Sequence, residues 1–293
     1  MRFDSCHPVV NFIFFAASVT FTVWFDHPVF LAISYAAAFL YSGKLNGRRG
    51  LLFDVCLLPC VGIYAWGYSR YTHFGVTVIG ENFAGNDITL ESVVYGGVTG
   101  FTAAAVIMWM SCVFAVISSD KVIYLFGRIS PGLSLFLSIL FRSVPRIKQA
   151  AERIEISQEG LGKGFRQGGL FSRFMNLSRL ISAVITWTLE DFIESSRSMK
   201  CRGYSLRGRT AFSIYRFDNR DRGFVVTVFF CLTLMMMAVM FDQVTICYDP
   251  EIIFNRITPM SYVFYVSYAV FLLMPMSLQT AGEWKFHRSR DAI

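Results

Sequence analysis

Charge is what this chain has least of. Only 16% of its 293 residues are Asp, Glu, Lys or Arg, against roughly 25% in soluble globular chains, and the shortfall excludes an ordinary soluble domain. Histidine is thin as well: four residues (His7, His27, His73, His287) are scattered along the chain. No His-Glu-x-x-His string occurs, so a zinc hydrolase has no ligand set. The phosphate-binding Gly-x-x-x-x-Gly-Lys-Ser/Thr loop is missing, because Gly162-Lys163-Gly164-Phe165 has the wrong order; the chain is not its own ATP motor. Gly-x-Ser-x-Gly, the nucleophile turn of α/β-hydrolases, is missing too. Seven cysteines are an odd number, mostly within apolar runs, which argues for reduced packing residues and against a secreted disulfide framework. Cys56 and Cys60 share a helix face at a spacing that permits metal binding, but small-residue packing is the simpler reading. No cofactor or metal is expected.

What the chain has in abundance is apolar surface. Hydrophobic residues make up 54%, with 30 Phe and 13 Tyr, and the mean hydropathy is +0.49. Disordered, collagen-like and coiled-coil chains lack such aromatic content, so the default is a membrane protein. A helix needs about 20 apolar residues to cross the hydrocarbon core. Six stretches qualify: residues 9–25, 29–41, 51–68, 93–117, 224–241 and 259–278. The Asp26-His27-Pro28 break predicts a tight turn between the first two. The N-terminus carries one Arg and no small-x-small cleavage site, so the first stretch is expected to remain in the mature protein.

Positive charge orients these spans. With six crossings and both termini cytoplasmic, 25 of the 27 basic residues fall on the inner side, and only Arg70 and Arg256 lie outside. The net charge of +7 then has a topological cause rather than a nucleic-acid partner. Residues 122–141 are long enough for a seventh span, but they hold Arg128 and Pro131, and a crossing there would export the basic region that follows. They are expected to form a helix pair in or under the cytoplasmic interface, broken at Pro131. The fold class is therefore an all-α polytopic bundle of about six spans. Its parts are a four-helix membrane part (1–117), a cytoplasmic or interfacial helical region (118–222) and a two-helix membrane part (223–293).

That middle region is far longer than the usual helix connection of about 2–8 residues, and long ordered insertions tend to carry function. Three helices are predicted in it, over 132–141, 146–159 and 173–202. In the last, Phe174, Leu177, Leu180, Ile181, Val184, Trp187 and Phe192 form an apolar stripe. Glu190, Asp191 and Glu194 sit late in the same helix, with Glu194 and Arg197 spaced for a weak surface pair. The helix ends at Ser198-Met199-Lys200-Cys201-Arg202-Gly203-Tyr204. Gly203 suits a left-handed cap, and Arg202 stands where the helix dipole favours a cation. An arginine fork on a rigid tip fits a groove of carboxylates or carbonyls; a headgroup or topology arginine is the plainer alternative.

Ionisable groups inside the spans are few. Asp54 either faces an inner polar site or lies at the interface, and the chain has no inverted repeat. Gly96, Gly97, Gly100, Ala103, Ala104 and Ala105 give the fourth span a small-residue face for close packing. A self-contained transporter, which needs polar groups at mid-span, is disfavoured. An integral-membrane enzyme with an interfacial cytoplasmic site is the remaining alternative, and only Glu190, Asp191 and Glu194 offer it a cluster.

Several strings, in order, resemble the transmembrane T component of energy-coupling factor transporters, the ABC-type importers of vitamins and metal ions. They are His7-Pro8-Val9-Val10-Asn11-Phe12, the run from Ser119-Asp120-Lys121 to Gly127-Arg128, Arg142-Ser143-Val144-Pro145-Arg146, Glu194-Ser195-Ser196-Arg197-Ser198-Met199-Lys200-Cys201-Arg202-Gly203-Tyr204, and Gly208-Arg209-Thr210-Ala211-Phe212-Ser213. The resemblance implies a non-enzymatic plasma-membrane subunit, with both termini and residues 118–222 cytoplasmic. Its implied partners are two ATP-binding cassette ATPases (a homo- or heterodimer), a substrate-binding S component and the lipid bilayer, with no nucleic acid. It also implies that Ser198, Arg202, Gly203 and Tyr204 form one ATPase-docking motif, and that Gln158, Gly160, Leu161 and Gly162 stand at the other. There Leu161 replaces the arginine of the family's Ala-Arg-Gly pattern, so apolar docking, or Lys163 or Arg166, has to take its place. Arg142, Pro145 and Arg146 are implied to be structural residues of the coupling region.

Overall fold

The computed structural model describes residues 3–72, 74–81, 87–164, 169–204, 206, 215–248, 252–253 and 258–290. Helices α1 (Pro8–Trp24), α2 (Pro28–Tyr71), α3 (Leu90–Val116), α4 (Ser119–Ile129), α5 (Pro131–Gly160), α6 (Leu170–Cys201), α7 (Asn219–Met240) and α8 (Pro259–Arg290) follow one another along the chain. They divide between two compact units, Met1–Ser118 with Tyr215–Ile293, and Ser119–Ile214. All six expected apolar stretches lie on helices of the first unit. Four of its helices, α2, α3, α7 and α8, are long and apolar enough to cross a bilayer, and α1 is a shorter apolar helix.

Two of the expected stretches share α2. Its 44 residues would run about 66 Å if straight, twice the hydrocarbon thickness. The chain instead reverses at Gly47, whose φ of 62° and ψ of −148° are not helical. A Cβ on Gly50 would meet the Ser42 carbonyl at 3.3 Å, and one on Gly43 would meet Leu51 at 2.7 Å. Residues eight apart on a straight helix lie about 12 Å apart, so α2 is a helical hairpin with Arg48 and Arg49 at its turn. Only a residue tolerant of positive φ can make that turn. Lys44, just before it, pairs with Glu283 of α8 at 3.0 Å.

Both α1 and α2 begin with a His-Pro pair. Proline occupies the first turn, where its missing N–H costs nothing. The histidine Nδ1 accepts the next free backbone N–H, from Val9 to His7 at 3.3 Å and from Val29 to His27 at 3.2 Å.

The core of this unit is aromatic. Phe3, Phe14, Phe15, Trp109, Phe224 and Phe271 pack edge-on or tilted with centroids 5.1–6.4 Å apart, a geometry that aligns ring edges with ring faces. Some polar groups within it are paired, as a low-dielectric interior favours, whereas the Asn11 amide and the Tyr41 and Ser267 hydroxyls find no hydrogen-bond partner among the described residues. Trp109 Nε1 donates to Ser34 Oγ at 3.1 Å, and Ser34 and Thr22 hydroxyls meet at 2.7 Å. Along the α2–α3 seam the small-residue face expected of the fourth span is in use. A Cβ on Gly96 would lie 3.2 Å from Ala65, and one on Gly100 would lie 3.1 Å from Val61, so glycine permits the close approach. Cys6, Cys112 and Cys231 are buried packing residues; Cys56, Cys60, Cys201 and Cys247 are exposed thiols, which corrects the uniform packing role expected of them.

Asp54 lies within the packed helices. It is fully buried, and neither carboxylate oxygen nor the neighbouring Ser42 hydroxyl meets hydrogen-bond geometry. An antiparallel pair, β1 (Val78–Glu81) and β2 (Asp87–Thr89), joins α2 to α3. The all-α reading did not foresee this pair, although it fits the rest.

Candidate functional site

The second unit is built on two long helices, α5 and α6. Ile129 ends α4 and Pro131 starts α5, so the expected break at Pro131 is present. The expected break at Pro145 is not: α5 continues through it to Gly160. Proline removes one N–H, and a helix anchored by packing on both sides absorbs that loss locally. At 1.5 Å per residue α5 and α6 are each roughly 45 Å long.

They cross antiparallel. Arg146 of α5 pairs with Asp191 of α6 at 3.7 Å. On one side of that contact Ile139, Arg142 and Ser143 share a cavity with Ser195, Ser198, Met199 and Arg202. On the other, Gln149, Ala150, Arg153 and Ile154 lie with Trp187, and Asn176 Nδ2 donates to the Gly164 carbonyl at 3.1 Å. The C-terminal tips therefore lie on opposite sides of the crossing. Leu161 is about 22 Å from it along α5 and Arg202 about 17 Å along α6.

Both tips close in the same way. On α5, Gly162 N–H donates to Glu159 O at 3.0 Å and Lys163 N–H to Gln158 O at 2.9 Å. On α6, Gly203 N–H donates to Lys200 O at 3.0 Å and Tyr204 N–H to Met199 O at 3.2 Å. Gly162 and Gly203 have φ of 71° and 77°. These are Schellman caps, in which a left-handed glycine turns two amides back onto the last free carbonyls. Leu161 and Arg202 occupy the same cap position, with φ, ψ of −90°, 5° and −83°, 5°. The cap expected at Gly203 is present, and the preceding long helix stops, as expected, at the glycines 160–164, with Gly162 in the matching cap position. Leu161 is 75% exposed, and Arg202 and Lys163 are exposed. Gln158 and Gly160 lie in the last turn of α5 and Ser198 in that of α6. Arg166 and residues 208–213 lie outside the described residues.

Two sequence expectations change here. Glu194 and Arg197 form no ion pair among the described residues. Instead Asp191 and Glu194 turn toward Arg142, Arg146 and Arg202 around a cavity of about 420 Å³. The apolar stripe of α6 is largely uncovered within its unit: Phe174, Ile181 and Trp187 are exposed, whereas Asn176 is buried. Among the described residues no group of three or more His, Cys, Asp and Glu side chains could hold a metal ion.

No protein-family model matches the chain. One stretch is similar to the energy-coupling factor transporter transmembrane protein EcfT of Lactobacillus helveticus (strain DPC 4571), at 29% identity over 90 residues. The stretch covers 30% of this chain and 32% of that protein, so the likeness spans about a third of the relative's length. Four helices among the described residues are long and apolar enough to cross a membrane, and together with this likeness they support a multi-pass membrane protein.

Proposed function

We propose that the chain is the membrane scaffold of an energy-coupling factor importer. It crosses the membrane about six times, with α2 counted as two spans. Both termini and residues 118–222 are cytoplasmic, where 25 of 27 basic residues then lie. The observation that carries this reading is the pair of long crossed helices whose exposed tips share one capped geometry on opposite sides of the crossing. Such a frame suits two partners that move relative to one another, namely a pair of ATP-binding cassette ATPases.

Arg202 enters a groove on one ATPase as a charged fork, with Gly203 fixing its direction and Ser198 and Tyr204 flanking it. Leu161 enters the other as an apolar plug, beside Gln158, Gly160 and Gly162. Closure of the ATPases on ATP shifts both tips. The crossed helices carry that shift to the S component, which binds a vitamin or metal ion as cargo. The uncovered stripe of α6 supplies apolar surface for that contact. Coupling requires that the tips bind the open and closed ATPase states unequally.

The test is to express a tagged chain in its native host, purify it in mild detergent and identify what co-purifies by mass spectrometry. Two ATPase chains and a small membrane protein are the expected result. A chain that emerges intact and alone overturns the reading and favours an interfacial enzyme.

A further inference from the structure

The cavity beside the α5–α6 crossing holds more positive charge than the fold uses. Arg142, Arg146 and Arg202 face Asp191 and Glu194, with Ser143, Ser195 and Ser198 between them. Only Arg146 has an ion-pair partner among the described residues, Asp191 at 3.7 Å. Three arginines against two carboxylates leave one positive charge, which a single phosphodiester neutralises. Arginine forks and serine hydroxyls are donors suited to phosphate oxygens.

The helix face next to the cavity says what carries that phosphate. At 100° per residue, Ile139, Arg142, Ser143 and Arg146 fall on one face of α5. Leu133, Phe136, Leu140 and Val144 recur at spacings of three and four on the adjoining face, roughly 110° away, and all four are exposed. A charged cavity bordering an uncovered apolar stripe matches an amphiphile with its headgroup in the one and its acyl chain along the other.

We propose that this cavity binds the headgroup of an anionic phospholipid with a single phosphodiester charge, with Arg142, which has no ion-pair partner among the described residues, as its anchoring donor. The inference rests on the membrane placement of the chain and not on its ATPase partners.

The probe is dioleoylphosphatidylglycerol, measured by native mass spectrometry on the purified chain against phosphatidylcholine and phosphatidylethanolamine. Phosphatidylglycerol should be retained preferentially. Arg142→Gln should weaken that retention by about tenfold or more, the scale of one hydrogen bond to a charged group, and Arg142→Lys should recover part of it. Arg197→Gln, on the same α6 but away from the cavity, should leave it unchanged. Ser195→Asp adds a repelling charge without removing an arginine and should also weaken retention; a monodisperse elution profile checks folding of each variant. Equal retention of the three lipids, or equal effects of Arg142→Gln and Arg197→Gln, overturns the proposal. Displacement by millimolar inorganic phosphate overturns it in favour of a free-anion site, and a co-purifying protein that blocks phosphatidylglycerol overturns it in favour of a protein occupant. Selective lipid binding without ATPases would sink only the transporter reading; ATPases without selective lipid would sink only this one.

Discussion

The tips of α5 and α6 share a backbone and differ in chemistry. Each ends in the same pair of reversed hydrogen bonds around a left-handed glycine, yet the side chain at the cap is Leu161 on one and Arg202 on the other. Glycine decides where a helix stops and which way its last side chain is held, and the residue before it decides what kind of surface that side chain meets. On the proposed function, a frame with one ionic and one apolar tip distinguishes two partners, or the two grooves of a single partner, without any change in backbone.

The largest expected effect follows from that difference. On the proposed function, Arg202→Ala should weaken association with the ATPase pair by about 2 kcal/mol or more, as loss of a buried interface anchor does, and should flatten its salt dependence. Leu161→Ala should cost less and leave the salt dependence alone. Titration of the purified complex at two ionic strengths reads both, and equal salt slopes for the two variants would break the comparison.

The shared backbone predicts a smaller and nearly equal pair of effects. Gly162→Ala and Gly203→Ala each force a side chain into the left-handed region, at about 1–2 kcal/mol. At Gly162 the added Cβ meets nothing within 4 Å, so its cost is strain alone, whereas at Gly203 it also meets Leu206 at 3.2 Å. Gly203→Ala should thus lower thermal stability slightly more. A neutral Gly162→Ala would contradict the cap.

The smallest effect separates the tips from the membrane unit. Burial holds the His27 imidazole below its ordinary pKa. The unfolded chain then takes up that proton more readily, so stability is full above about pH 6.5 and declines as pH falls through it, levelling below the folded value. Protonation also removes the Nδ1 acceptor used by Val29. Melting temperature should fall modestly between pH 7.5 and 5.5, and His27→Asn, which keeps a capping acceptor, should lessen the fall. Asp26 is shifted up by burial and has the opposite sign, so the difference between the two profiles isolates the histidine. ATPase association should not follow this profile, because neither tip contains a histidine.

Much of this was legible in the chain itself. Apolar runs of membrane length and the glycine after Arg202 are local signals, since each depends on a stretch no longer than one helix. The small-residue face at Gly96 and Gly100 was equally plain, because close approach depends on side-chain size. Other features were invisible or misleading. Pro145 reads as a break and lies inside α5. Glu194 and Arg197 read as a pair, but Asp191 pairs with Arg146 from another helix.

The sequence by itself determined most of the helical segments, which of them are apolar enough for a bilayer and where the two long helices stop. Those outcomes follow from hydrophobic periodicity, backbone stereochemistry and charge. Tertiary structure alone decided that Asp54 is buried, that α5 and α6 cross antiparallel with their tips apart, and that three arginines surround one cavity. These depend on contacts between residues distant in the chain, whose energies no local pattern records.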